Sequence, residues 1–282
     1  MKSNNQYLWC FQMEKLCELL FELSNEDRLM IIFQLKKKSM KIAHLSKKLN
    51  FTVQETSRNV SRLNETNLIY RRGDGSFKLT AYGENALNLL PGFKFLSKHT
   101  KYFTTHTLSQ LPHEFFCRIG DLVDCTYIGD VMLTFFEAEK MMDDAEEFLW
   151  LLSDQHLVSS VPHIKNALEK KIQVKIITPS DLRYPKSYFD QETVKELVSV
   201  EKQARREGML EERWIERVDT AIGVSDKLSG RVFFPTIEGH FDYKGFTVVD
   251  ATSHKYCKDL FDHYWNKATT KIPDHILDSS NR

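Results

Sequence analysis

The sequence lacks most of the signatures that announce chemistry. Its 282 residues contain no G-x-G-x-x-G dinucleotide turn, no P-loop, no G-x-S-x-G nucleophile elbow and no H-E-x-x-H zinc motif. Each absence removes a class of enzyme, and the chain is expected not to be one. No apolar run approaches the roughly 20 residues that cross a bilayer. The first residues, MKSNNQYLWC, have neither an apolar core nor a small-residue cleavage site, so a cytoplasmic protein is expected. The five cysteines (Cys10, Cys17, Cys117, Cys125, Cys257) are odd in number and scattered, with no C-x-x-C pair. They are read as reduced, mostly buried thiols. His99, His106 and His113 recur seven apart but lack a supporting Cys or carboxylate, so they are read as residues of a helix face. No cofactor or metal is implied.

Net charge is also missing, with 39 Lys and Arg against 39 Asp and Glu. The balance hides an asymmetry. Residues 1–105 carry 17 basic and 9 acidic residues, and the remainder 22 and 30. Most of the positive excess lies between Lys36 and Lys78, where 11 basic residues face 3 acidic ones. A basic block joined to an acidic one suggests a polyanion-binding module attached to something else. The length suits two domains, each able to bury a core.

Along the chain, Trp9, Met13, Leu16, Leu20 and Leu23 mark an amphipathic helix over Leu8–Leu23, serving either its own domain or a dimer contact. Ser24 and Asp27 resemble a capping box opening a helix with Leu29, Ile32, Phe33 and Leu35 inward. After an extended piece, a helix over Ala43–Leu49 turns Leu45 and Leu49 inward and Lys47 and Lys48 outward. Thr52 and Glu55 form a T-x-x-E box before the stretch Thr52–Thr66. There Val53, Thr56, Val60 and Leu63 fall on one side of a helix and Arg58 lies opposite, flanked by Gln54, Ser61 and Arg62. Asn67 is placed to stop this helix in a left-handed conformation. LIYRRGDGSFKLT then reads as a hairpin with Arg71, Arg72 and Lys78 about its tip. A helix from Thr80 is expected to end at Pro91-Gly92.

Helix, helix, turn, helix, hairpin, helix is the order of a winged helix-turn-helix domain. Residues 24–90 resemble the winged-helix domains of archaeal and bacterial ArsR- or MarR-like transcription regulators. The resemblance implies that Thr52–Thr66 enters the major groove and that Arg71–Lys78 is the wing. Arg can pair with guanine N7 and O6, and Gln with adenine N6 and N7. Gln54, Arg58 and Arg62 are therefore assigned to bases. Thr52, Ser57, Ser61, Lys47, Lys48, Arg71, Arg72 and Lys78 are assigned to phosphates.

Further on, Phe93, Leu96, Phe103 and Leu108 suggest a second amphipathic segment, and a short helix is expected over Pro112–Ile119. Helix Val131–Asp144, strand Phe148–Leu152, helix Val161–Lys171 and strand Val174–Thr178 imply a parallel β-α-β unit. A charged helix over 190–207 precedes strands at Arg213–Val218, Ala221–Val224, Arg231–Phe234 and Phe246–Val249. Helix Ser253–Ala268 closes the fold, and the tail from Thr269 is expected to be loose.

LWLLSD, VKIITP, R-W-I-E-R, G-R-V-F-F-P and the aromatic D-x-F-D-H-Y-W helix resemble the C-terminal domain of archaeal methanogenesis (Fil-type) regulators. Such domains are remotely similar to the phospholipase D-like fold. Those enzymes need H-x-K followed at fixed spacing by Asp; H-x-K occurs at His99–Lys101 and His163–Lys165, but His106 and Lys170 stand where H-x-K-x4-D requires the Asp, and His254 and Lys255 are adjacent. The expected fold is an α+β winged helix-turn-helix N-terminal domain followed by an α/β C-terminal domain, remotely phospholipase D-like and non-catalytic. Its divisions are residues 1–90, a helical linker 91–115 offered as a dimer contact, and a regulatory or effector domain 116–282. Ligands of parallel units gather beyond the strand ends, which singles out Ser153, Asp154, Thr178 and Arg183. The expected function is a homodimeric regulator of double-stranded DNA answering a small-molecule or protein effector. The competing readings are a protein-interaction adaptor and an unrecognised phosphodiesterase.

Overall fold

A computed structural model describes residues 3–183 and 186–273, giving only the backbone for 3–12, 186 and 189. The side chains of Trp9 and Cys10 thus lie outside the described residues, as does the tail beyond 273. Internal contacts divide the chain into two compact units, Met1–Leu90 and Pro91–Arg282. No helix among the described residues is long and apolar enough to cross a membrane.

The first unit runs α1 (Ser3–Leu23), α2 (Glu26–Lys37), α3 (Ile42–Leu49), α4 (Val53–Glu65), β1 (Ile69–Arg71), β2 (Phe77–Leu79) and the start of α5 (Ala81–Lys98). This is the element order read from the sequence. The cap of α2 is Asn25, whose side chain accepts from the Arg28 amide at 3.0 Å. Ser24 instead closes α1, its hydroxyl donating to the Phe21 carbonyl. The start lies one residue later than expected; Arg28, Ile31, Ile32 and Leu35 are buried and Phe33 is exposed, contrary to expectation. Asn50 and Asn67 adopt left-handed conformations, with φ of 57° and 60°. Short amides tolerate that region best after glycine. The antiparallel hairpin pairs Ile69 with Leu79 and Arg71 with Phe77. Ile31, Leu45, Val60, Leu63, Leu68 and Leu79 meet in one apolar core.

Helix α5 does not stop at Pro91-Gly92 but continues to Lys98 with Pro91 inside it. Proline removes one amide donor without forbidding the turns that follow. Thr80 caps the helix by accepting from the Gly83 amide at 2.9 Å. Gly83 passes so close to Leu68 that a β-carbon there would lie 2.1 Å from the Leu68 carbonyl oxygen.

The second unit continues with α6 (Thr100–Phe103), α7 (His113–Cys117), β3 (Thr126–Ile128), α8 (Val131–Asp144), β4 (Phe148–Leu152), α9 (Val161–Glu169), β5 (Gln173–Pro179), α10 (Lys186–Phe189), α11 (Glu192–Arg206), β6 (Leu210–Ile215), β7 (Ala221–Ser225), β8 (Gly230–Phe233), β9 (Gly245–Thr247) and α12 (Ala251–Lys267). Among the described residues its seven strands form one mixed sheet in the order β3-β9-β8-β7-β4-β5-β6. Strands β4, β5 and β6 are parallel and the other neighbours antiparallel. The sheet alternates between two buried faces, as strands covered on both sides do. Leu152, Ile177, Ile222 and Val232 join a core with Tyr256, Phe261 and Trp265 of α12. Leu149, Val174 and Ile176 face the other way, in a core with residues of α8, α9 and α11.

Residues 91–115 do not behave as a linker. Phe95, Tyr102, Leu108, Leu111 and Phe115 lie in the α12-side core, whereas Phe93 is 66% exposed. Tyr102 donates its hydroxyl to the Phe234 and Lys244 carbonyls, locking this stretch to the sheet. Thr269, expected in a loose tail, exchanges both backbone hydrogen bonds with Trp214. Cys125 and Cys257 are buried, but Cys17 and Cys117 are exposed, so the thiols are less sheltered than expected.

Candidate nucleic-acid interface and an internal cavity

Helix α4 begins with a complete capping box. The Thr52 hydroxyl accepts from the Glu55 amide at 3.1 Å, and Glu55 Oε2 accepts from the Thr52 amide at 3.1 Å and its hydroxyl at 2.8 Å. These bonds hold the Glu55 carboxyl below its usual range. The box fixes where the helix starts and commits the Thr52 hydroxyl to Glu55, which competes with its assignment to a phosphate. Thr56, Val60 and Leu63 are buried, but Val53, expected beside them, is 60% exposed. It sits in the first turn, before the helix reaches the core. Its exposed methyl groups were missed as a candidate contact for a thymine methyl.

The outward face of α4 carries Gln54, Arg58 and Ser61, all exposed, with Ser57 half-buried. Arg62 behaves differently. Its Nη2 donates to Glu22 Oε1 at 2.7 Å, and its guanidinium stands over the Phe21 ring. A base-reading role would compete with that ion pair. Glu22 and Phe21 lie forty residues upstream, so no local pattern indicates the bond. Helix α3 packs on α4, with Lys47 and Lys48 exposed on its last turn, and β1 packs on α4 from the hairpin. Arg71, Arg72 and Lys78 are exposed on that hairpin. Arg72 donates to the Ser39 hydroxyl at 3.2 Å. At the tip, Asp74 accepts from the Ser76 amide and hydroxyl, and Gly75 takes a positive φ of 77°.

The three histidines of the seven-residue stripe have separate surroundings. His106 is stacked on Tyr102 and lies 3.0 Å from Asp242 Oδ1. His99 packs edge-on against Phe95 and Phe246, and His113 is near the Cys117 sulfur. Among the described residues no cluster could hold a metal ion.

In the second unit, the sheet and helices α8, α9 and α11 enclose a cavity of about 1360 Å³. Ser153, Thr178 and Arg183 line it. Asp154 does not, but it accepts the hydroxyl of Tyr243, a lining residue, at 2.7 Å. Thr178 is buried; its hydroxyl donates to Glu212 Oε1 at 3.0 Å and lies 3.2 Å from His156 Nε2. Burial raises the Glu201 carboxyl to about 7, against the pull of Arg205, and lowers His156. Sequence reasoning found the strand ends but missed Glu212 and Arg231, which only the strand register brings to one face, and Glu201, which α11 contributes to the lining.

No family model matches the chain, and no curated protein matches it. Among solved structures, one described as "Structure of TrmBL2, an archaeal chromatin protein, shows a novel mode of DNA binding" is similar with a TM-score of 0.40 and 13% identity. That similarity covers 88% of this chain and 94% of that one. Another, "PigF with SAH", is similar with a TM-score of 0.20 and 16% identity over 76% of this chain and 61% of that one. Similarity at this level does not bear on function.

Proposed function

We propose that this chain is a DNA-binding transcription regulator of the cytoplasm. Its first unit acts as a winged helix, with α4 in the major groove of double-stranded DNA and the hairpin as its wing. The observation that carries the reading is the outward display of Gln54, Arg58 and Ser61 on α4, together with Lys47, Lys48, Arg71, Arg72 and Lys78. These residues sit on elements whose inward faces close a single core. Cationic side chains beside a helix with hydrogen-bonding groups match what phosphates and base edges require. The protein acts as a homodimer, supported by the exposed stripe of Met13, Leu16, Leu20 and Phe21 on α1. Two copies would place two recognition helices about one DNA turn apart on a pseudo-palindrome. The second unit is an α/β regulatory or effector domain, remotely phospholipase D-like in fold, and the reading assigns it no catalysis.

The test is binding of the full-length protein to random duplex at low salt, followed by selection of bound duplexes from a random pool. Affinity should fall steeply with added salt, since phosphate contacts release counterions. An enriched sequence should emerge from the pool.

One observation favours a second reading, a protein-interaction adaptor. Val53 and Phe33 expose apolar surface on the first unit, in addition to the α1 stripe. An adaptor would show neither low-salt duplex binding nor its salt dependence.

A further inference from the structure

The cavity of the second unit differs chemically from end to end. Across its floor runs a row of cross-strand neighbours. Arg231 of β8 is opposite Gly223 of β7, Gly223 opposite Leu151 of β4, Leu151 opposite Ile176 of β5, and Ile176 opposite Glu212 of β6. At the usual strand spacing the row spans roughly 19 Å. At its Glu212 end both carboxylate oxygens are satisfied, Oε1 by Thr178 at 3.0 Å and Oε2 by Arg205 Nη2 at 2.7 Å.

The Arg231 end is not satisfied in this way. Arg231 is 3% exposed, and its Nη1 donates to the Thr134 carbonyl. Its ion pair with Glu137 is long, 3.7 Å, and that carboxylate is partly solvated. Its Nε is buried with no hydrogen-bond partner. Burial pushes the guanidinium down to about 10, only partly offset by Glu137. A buried cation with a spare donor is stabilised by an anion that reaches it. Between the ends, Phe135, Met141, Leu151, Ile176 and Leu197 supply an apolar wall. The lining charges are Arg183, Lys195, Lys202, Arg205 and Arg231 against Asp190, Glu201 and Glu212, an excess of positive groups. The volume exceeds the roughly 300–1,000 Å³ of an ordinary ligand pocket, which leaves room for an extended body.

We propose that this cavity binds an amphipathic organic acid, with its carboxylate on Arg231 and its aliphatic body along the apolar wall. The site lies wholly within the second unit, so it stands or falls independently of duplex binding by the first.

The test is titration calorimetry of the full-length protein with octanoate, dodecanoate, dodecanol and dodecylamine, below micelle formation. Dodecanoate should bind one site, more tightly than octanoate by about fourfold for each added methylene. It should also bind at least about tenfold more tightly than the alcohol or the amine. Arg231→Met should reduce dodecanoate to the level of dodecanol, and Ala138→Trp should remove both by filling the cavity. The ligand series on the unaltered protein decides the matter even if a variant fails to fold. No binding, equal binding of acid and alcohol, tighter binding of the amine, or uptake of many molecules per chain would each overturn the proposal. So would a folded Arg231→Met that keeps full affinity for dodecanoate.

Discussion

The carboxylate of Glu22 lies between two guanidinium groups: Arg62 Nη2 donates to Oε1 at 2.7 Å, and Arg28 Nε lies 2.9 Å from Oε2 while donating to the Glu22 carbonyl at 3.0 Å. The Glu22 side chain is 2% exposed, Arg28 is nearly as buried, and Arg62 is half in solvent. This cluster ties the end of α1 to both α2 and α4. Removing one partner of a buried pair leaves an uncompensated charge, whereas an exposed partner contributes little.

Arg28→Ala should therefore destabilise the first unit by about 3–5 kcal/mol, and Arg62→Ala by about 1 kcal/mol or less. Urea unfolding measures both. If the two substitutions cost the same, Glu22 is not buried as described.

On the proposed reading, Arg58→Ala should cost roughly 1–3 kcal/mol on the selected duplex and blur preference at one base pair. Arg72→Ala should weaken all duplexes alike and lower the salt slope by about one. Fluorescence anisotropy against a panel of single-base variants separates the two. Uniform losses from both would remove the base-reading role of Arg58.

Glu201 gives the second unit a pH dependence of definite sign. Its folded pKa is about 7 against an ordinary 4.5, with burial as the main cause. Its cost is absent below the ordinary value, grows as pH rises between the two, and is complete above 7. Glu201→Gln should therefore stabilise the protein more at pH 8 than at pH 5. Thermal unfolding at the two pH values tests this, and a pH-independent effect would mean the carboxyl is not desolvated.

Gly83→Ala should destabilise by about 2 kcal/mol or more, because the new methyl group meets backbone rather than a movable side chain. Gly92→Ala, which would meet only the Ile119 side chain at 3.3 Å, should cost less. Chemical denaturation of the two variants side by side checks the order.

The legible parts of the chain were local. The T-x-x-E box, the left-handed Asn67 and the hairpin each depend on residues a few positions apart, and each stands where the spacing put it. In the second unit β4, α9 and β5 followed from apolar runs in the same way, whereas β3 and α10 were not expected and β6 begins at Leu210 rather than Arg213. Val53 and Phe33 were misplaced because periodicity gives a face but not where the neighbouring helices end. Pro91-Gly92 was read as a stop because those residues usually are one; what the turn packs against is not written nearby. Arg62 was given to DNA because its partner lies forty residues away. Arg231 and Glu212 gained meaning only when four pairings of strand register set them on one floor.

The capping box of α4 has a consequence for how a duplex could be approached. A bare helix N-terminus attracts phosphate, but here Glu55 already occupies it with a negative charge whose Oε2 is engaged by Thr52. Such an end repels the sugar-phosphate rail and the acceptor edge of guanine, and it tolerates the amino group of cytosine. On the proposed reading, Glu55 would act as a filter by exclusion, discriminating through what it refuses, while Arg58 and Gln54 would select through the hydrogen bonds they offer to bases.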